Sequence, residues 1–394
     1  MLNDHKSRDH ALLSASSSHR WLECPPSAIA AEAYPEQDTE FTREGTLAHE
    51  VAETVADWTD LTDDIKRLYE NLDSFLDGKI REEDREAVTQ EMIDCAVSYS
   101  EYIQEQIRVD NTLVLLEQKV DFSEWVPDGF GTADCIIIQG EVMDVIDYKY
   151  GKGVAVSAED NPQMKLYGLG ALYDYGFLAD VQKVRLHIFQ PRINNVSVYE
   201  LSADELLKWG DEVVKPVAAL AAKGEGEYKA GSHCKFCPHA GRCRELTATC
   251  TETINSHDIT AKLPVLAPFE VAQILELEPL ISLWLKRVKA QALSTMLAGE
   301  IVPGYEVVAG RGSRGWADDL EVAALLEKAG YIQEEITETK LLSVAQMEKA
   351  IGKKKVAELL SGQILSHTGA PTIATEKDRR PAYNPADDFE NIDE

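Results

Sequence analysis

Two carboxylates and an ammonium sit close together in the stretch Asp134 to Lys149. It reads Gly131-Thr132-Ala133-Asp134, then Val145-Ile146-Asp147-Tyr148-Lys149, and is followed by Gln163-Met164-Lys165-Leu166-Tyr167. The apolar runs Cys135 to Ile138 and Val142 to Ile146 flank Gln139-Gly140-Glu141, which predicts a strand, a tight turn and a second strand. Strand side chains alternate faces, so Asp147 and Lys149 point the same way, and Asp134 opens the neighbouring strand. Oxygen ligands suit hard divalent cations, and Mg²⁺ takes one or two carboxylates plus a substrate phosphate. A lysine beside such an ion can orient or deprotonate a water and stabilise developing negative charge. The chemistry would be phosphodiester hydrolysis. Taken alone, an Asp-x-Lys tripeptide arises often by chance and reads equally as a solvated strand end.

The surrounding residues add order to that signal. Gly131-x-x-Asp134, Asp147-x-Lys149 and Gln163-x-x-x-Tyr167 together resemble the core of the PD-(D/E)XK nucleases, in their RecB-like branch. Gly45-Thr46-Leu47-Ala48-His49-Glu50 is similar to that branch's N-terminal helix motif, and Glu117 stands where the family carries a further acidic residue. The resemblance covers roughly residues 10 to 250. It implies a restriction-endonuclease-like α/β core, with a central mixed β-sheet flanked by helices. It also implies that His49, Asp134, Asp147 and the Tyr148 carbonyl hold Mg²⁺ or Mn²⁺, that Lys149 handles the attacking water, and that Glu117 assists. Gln163 and Tyr167 would touch substrate, or both be structural. The implied activity is a metal-dependent DNA nuclease, as an exonuclease in recombination, repair or phage replication. The alternative is an idle or partner-dependent module that binds DNA ends or protein around a structural metal.

Seven cysteines, an odd number, fit thiols or metal ligands better than a disulfide framework. Cys234-x₂-Cys237-x₅-Cys243 has the spacing of a zinc or iron–sulfur site. On spacing alone the fourth ligand stays open: Cys250, His233 or His239 would close a local site suited to zinc, and Cys24 is the distant alternative. Cys24-Pro25 and Cys237-Pro238 are similar to the iron–sulfur RecB-like nucleases, which include the AddB nuclease module and the CRISPR-adaptation nucleases. That resemblance implies a [4Fe–4S] cluster on Cys24, Cys234, Cys237 and Cys243, stapling the first helix to the end of the core and closing a very long loop.

The formal net charge of −30 argues against a generic nucleic-acid coat and predicts weak, salt-sensitive or partner-assisted DNA binding. DNA is the implied partner, with a recombination or single-strand-annealing protein, or further copies of the chain, as helpers. Hydrophobic residues make up 44% of the chain, ample for a packed core. The start Met1 to Lys6 has no apolar signal core, and no run of about eighteen apolar residues could span a bilayer. A cytoplasmic protein is expected.

The elements that must position these residues follow in order. A short helix through Trp21 ends at Cys24 before Pro25 and Pro26; Glu44 to Trp58 and Glu86 to Val109 are helical, with an acidic helical excursion at Asp60 to Arg85. Leu113 to Val120 and Val184 to Gln190 are further strands, and Pro162 opens a helix that sets Gln163 and Tyr167 on one face. A nuclease domain over 1–257 is expected, then a helical accessory domain over 258–368 and a disordered acidic tail over 369–394. In the accessory domain, Phe269 to Leu297 predicts a long helix broken near Pro279, Tyr305 to Val308 a strand, and Asp318 to Ala329 and Val344 to Leu360 helices. Arg311 to Trp316 mixes basic residues, glycine and tryptophan, which reads as a turn with a packed tryptophan or as a grip on a phosphate backbone.

Overall fold

The computed structural model describes residues 11–34, 40–56, 80–82, 84–256, 268–308 and 328. Most of the acidic excursion, the Arg311 to Trp316 stretch, the two later helices and the acidic tail lie outside the described residues.

Five strands form one mixed sheet in the order β1-β2-β3-β4-β5: β1 Leu113–Asp121, β2 Phe130–Gln139, β3 Val142–Tyr148, β4 Lys183–Gln190 and β5 Asn195–Ser202. All neighbours are antiparallel except β3 and β4, which run parallel and are joined by the helix Pro162–Tyr175. The expected α/β class with a mixed sheet is observed. Gly140, with a φ of 59°, makes the tight β2–β3 turn.

The helices are α1 Ser18–Glu23, α2 Ser27–Ala31, α3 Glu40–Ala56, α4 Gln90–Gln106, α5 Pro162–Tyr175, α6 Ala203–Trp209, α7 Lys215–Ala221, α8 Arg244–Ser256 and α9 Pro268–Leu297. Leu47, Ala48, Val51, Ala52 and Val55 form the buried stripe of α3. That stripe meets Met92, Ile93, Ala96 and Tyr99 of α4 over one sheet face, against Cys135, Ile137, Ile146 and Tyr148. On the other face α5 lays Met164, Leu166, Tyr167 and Leu169 over Ile136, Val145 and Leu186. The Asn161 side chain caps α5 by accepting the Gln163 and Met164 amides, and Pro162 occupies the first turn, where no amide is needed.

By compactness the chain divides into Met1–Val307 and Val308–Glu394. The helix α9, expected to open an accessory domain after residue 257, therefore belongs with the first unit. The contact that holds it is close: a Cβ on Gly241 would lie 2.6 Å from the Arg287 carbonyl oxygen. The helix also continues through Pro279 without the expected break. Tyr305 to Val308 forms no strand. No helix among the described residues is long and apolar enough to cross a membrane.

Candidate metal centre at the fork in the sheet

Strand β2 stays paired with β1 down to Phe130, but its pairing with β3 stops at Cys135 and Ile146. Strand β3 meanwhile continues beside β4 to Tyr148 and Phe189. The sheet thus forks, and Asp134 and Asp147 are the first residues past the fork, one on each arm. Asp134 lies inside β2 rather than at its start. Its Oδ2 accepts the Tyr148 amide at 2.7 Å, taking the place a β2 carbonyl would fill.

Glu117 faces Asp134 across β1, between the pairs Leu116 with Cys135 and Gln118 with Ala133. Its φ of 46° is left-handed, an uncommon state for a non-glycine residue inside a strand. The side-chain alternation slips there. Leu115 packs on the α5 side and Leu116 on the α3 side, yet Gln118 returns to α5, accepting a hydrogen bond from the Tyr175 hydroxyl, and Val120 packs there too. Helix α3 brings His49 Nδ1 to 3.5 Å from Asp134 Oδ2. Ligand atoms of His49, Glu117 and Asp134 all lie within 4.8 Å of one another. Burial pushes the Glu117 carboxyl up to about 8, with Asp134 adding to the effect. Burial alone would lower His49, but Asp134 beside it holds the imidazole above its ordinary value.

The second arm carries the other expected residues. Asp147 is 3% exposed. Its Oδ1 accepts from Lys149 Nζ at 3.0 Å and from Gln163 Nε2 at 3.2 Å, and the same Gln163 amide reaches the Tyr167 hydroxyl at 3.3 Å. Asp147 Oδ2 lies 2.7 Å from the same Lys149 ammonium, so the ion pair engages both carboxylate oxygens. Burial raises the Asp147 carboxyl, against the pull of Lys149. Lys149 is held above its ordinary value, because Asp147 outweighs the downward push of burial. Gln163 and Tyr167, expected against substrate, here brace Asp147, and Tyr167 packs so closely on Gly131 that a Cβ there would meet its ring at 2.7 Å. Tyr148 contributes its backbone; its phenol is buried against Tyr99 and His49.

The four cysteines Cys24, Cys234, Cys237 and Cys243 also come together. Burial lifts the Cys234 thiol to about 11, and Cys237, Cys243 and Cys24 each add to it. Each sulfur receives a backbone amide: Lys229 to Cys24 at 3.5 Å, Gly231 to Cys234 at 3.4 Å, His239 to Cys237, and Leu246 to Cys243 at 3.4 Å. The competing fourth ligands are engaged elsewhere. Cys250 Sγ instead points its own S–H at the Leu280 carbonyl, 4.0 Å away. His233 Nε2 is 2.8 Å from the Lys229 carbonyl, and His239 Nδ1 is 3.2 Å from the Tyr34 hydroxyl.

Sequence reasoning missed two polar groups around the site. Asp144, fully buried, accepts from Arg185 Nη2 at 2.9 Å and Gln139 Nε2 at 3.2 Å, and lies 2.9 Å from His187 Nε2, whose Nδ1 meets the Tyr102 hydroxyl at 2.8 Å. The signal was present: Arg185 and His187 alternate in an otherwise apolar strand, so both must meet a partner on one face. Arg192 bridges Glu44 of α3 at 3.1 Å and Glu91 of α4 at 2.9 Å, and stacks on Tyr150 at 4.1 Å. It ties the loop after Lys149 to the two helices that position His49. No local pattern foretells pairings so distant in sequence.

A family described as "Protein of unknown function (DUF2800)" matches residues 10–381, and the chain belongs to it. Among solved structures, the crystal structure of SSO0001 is similar at 14% identity, over 62% of this chain and 89% of the other, with a TM-score of 0.28.

Proposed function

We propose that this DUF2800 protein is a metal-dependent deoxyribonuclease with a restriction-endonuclease-like core of the RecB type, hydrolysing phosphodiester bonds at DNA ends. The observation that carries the reading is the fork, where three carboxyl groups on three adjacent strands meet one histidine, one lysine and one glutamine. The donor set suits a hard divalent cation. Glu117 is left with a carboxyl that resists ionisation and so gains from a nearby positive charge, whereas Asp147 already faces the Lys149 ammonium. His49, Glu117, Asp134 and Asp147, with the Tyr148 carbonyl, would hold Mg²⁺ or Mn²⁺. When bound, the ion would polarise the phosphodiester and lower the pKa of a nucleophilic water.

The chain's own residues supply the rest. Lys149, an ammonium beside Asp147, would position or activate the attacking water and steady negative charge on the phosphate. Gln163 fixes the Asp147 carboxylate, and Tyr167 fixes Gln163. Asp134 holds both arms of the fork at a set separation through the Tyr148 amide.

The same reading assigns a [4Fe–4S] cluster to Cys24, Cys234, Cys237 and Cys243. Four amide-to-sulfur hydrogen bonds support thiolate ligands, since such bonds stabilise cluster sulfurs and tune their potential.

Cleavage of end-labelled linear and closed-circular DNA, single- and double-stranded, with Mg²⁺ or Mn²⁺ tests the function on anaerobically purified protein. Loss of linear DNA that disappears in Asp147→Ala is the expected result, and an untouched circle identifies an exonuclease. Folded, metal-loaded wild type that cleaves none of these substrates overturns the reading in favour of a binding module.

A further inference from the structure

Past the fork, the β1–β2 arm continues as a two-stranded ribbon that carries a lysine on the side of the metal trio. Lys119 pairs with Thr132, two residues beyond the Glu117 and Asp134 row on both strands. Both residues are exposed. Their neighbours fix the direction: Gln118 and Val120 face α5, so Lys119 and Thr132 face the opposite side, the side from which α3 delivers His49. Lys119 Nζ lies 4.0 Å from the centre of the Phe130 ring, and among the described residues it has no carboxylate partner. Lys152 and Lys229, by contrast, are exposed lysines that pair with acids, as Lys119 does not.

We propose that Lys119, steadied by Phe130, is a substrate-binding residue that grips the DNA phosphate next to the one being cleaved. The proposal rests on the nuclease reading and adds to it where the rest of the strand is held. Two residues along a strand span about 6.6 Å, close to one nucleotide step of an extended single strand. A cation at that separation meets the neighbouring phosphate while the metal trio meets the scissile one, and the exposed Thr132 hydroxyl offers a second donor. The ring contact keeps the long ammonium side chain from collapsing onto Glu117, and offers a face to an adjoining base. A single strand is favoured over a duplex because the arm is narrow and the surrounding charge repels a second backbone.

The test measures binding, so that it does not depend on turnover. A fluorescein-labelled single-stranded oligonucleotide is titrated in Ca²⁺ with Asp147→Ala protein and with the same protein carrying Lys119→Ala, over a range of salt. Lys208→Ala, on α6 and paired with Glu212, serves as the control. Lys119→Ala should weaken binding about tenfold and reduce the salt slope by about one, with the control unchanged. Equal affinity and equal slope in the two proteins, or no binding by either, overturns the proposal. If Lys119 matters for binding but wild type cleaves nothing, the nuclease reading fails and the phosphate grip stands.

Discussion

Asp134 Oδ2 and the Tyr148 amide, 2.7 Å apart, join the two arms of the sheet where their backbones have separated. One oxygen therefore does two jobs: Asp134 Oδ2 closes the ladder and also lies 3.5 Å from His49 Nδ1. The jobs are separable by substitution. Asp134→Asn keeps an oxygen acceptor for the amide but loses the charge, so DNA cleavage should fall at least a hundredfold while thermal stability changes little. Asp134→Ala also strands a buried amide, which costs about 1–3 kcal/mol. Melting curves and cleavage rates of the pair check this. Equal destabilisation by both would show that the amide contact is not what holds the fork.

Gly131 is one of the places where α5 touches the ribbon, beside Gly170 against Val120 and Tyr175 on Gln118. A Cβ there would meet the Tyr167 ring at 2.7 Å, so Gly131→Ala must push Tyr167 aside and with it the Gln163 brace on Asp147. We expect a loss of about 1–3 kcal/mol from overpacking, together with slower cleavage. Tyr167→Phe removes only the hydroxyl, keeps the packing and should cost a few-fold in rate with an unchanged melting temperature. A fully stable and active Gly131→Ala would mean that the brace does not set the Asp147 position.

Much of this architecture is legible in the sequence, for physical reasons that differ from place to place. The β2–β3 hairpin shows because two β-branched runs flank a glycine turn, and α5 shows because Pro162 and Gln163-x-x-x-Tyr167 mark its start and face. Strand β5 is not legible in the same way. Val196 and Val198 on it are half exposed, because an edge strand needs only one covered face. The left-handed Glu117 is also hidden, since no glycine or asparagine in Leu113 to Val120 marks a positive φ there. The placement of α9 depends on Gly241 and Arg287 meeting across the cysteine region, a contact that composition does not encode.

The sulfur environments separate Cys250 from the other four. Cys24, Cys234, Cys237 and Cys243 each accept an amide hydrogen bond, whereas Cys250 acts as donor. Anaerobically purified wild type and Cys250→Ser should both be brown with full iron and sulfide content. Cys24→Ser should be bleached and markedly less stable, since α1 loses its tie to the 234–243 segment. Colourless wild type carrying one zinc per chain would replace the cluster with a zinc site.

Glu117 makes the stability of the metal-free protein depend on pH in a defined direction. Its carboxyl is raised from an ordinary 4.5 to about 8, chiefly by burial. A folded value above the unfolded one means that the folded state holds the proton more tightly. The contribution to stability is then full below about pH 4.5 and is lost as pH rises through about 8. Asp147 and His49, both raised, act with the same sign. A divalent cation reverses the balance, because it binds the ionised carboxylate and displaces the proton. Melting temperatures measured in chelator between pH 5 and 8.5 should therefore fall with pH more steeply for wild type than for Glu117→Gln. The rise on adding Mn²⁺ should grow across the same range, and proton release on binding at pH 7 should be larger for wild type than for Glu117→Gln. Identical pH profiles for wild type and Glu117→Gln, or a metal shift independent of pH, would remove Glu117 from the metal site and leave its left-handed backbone without a functional cause.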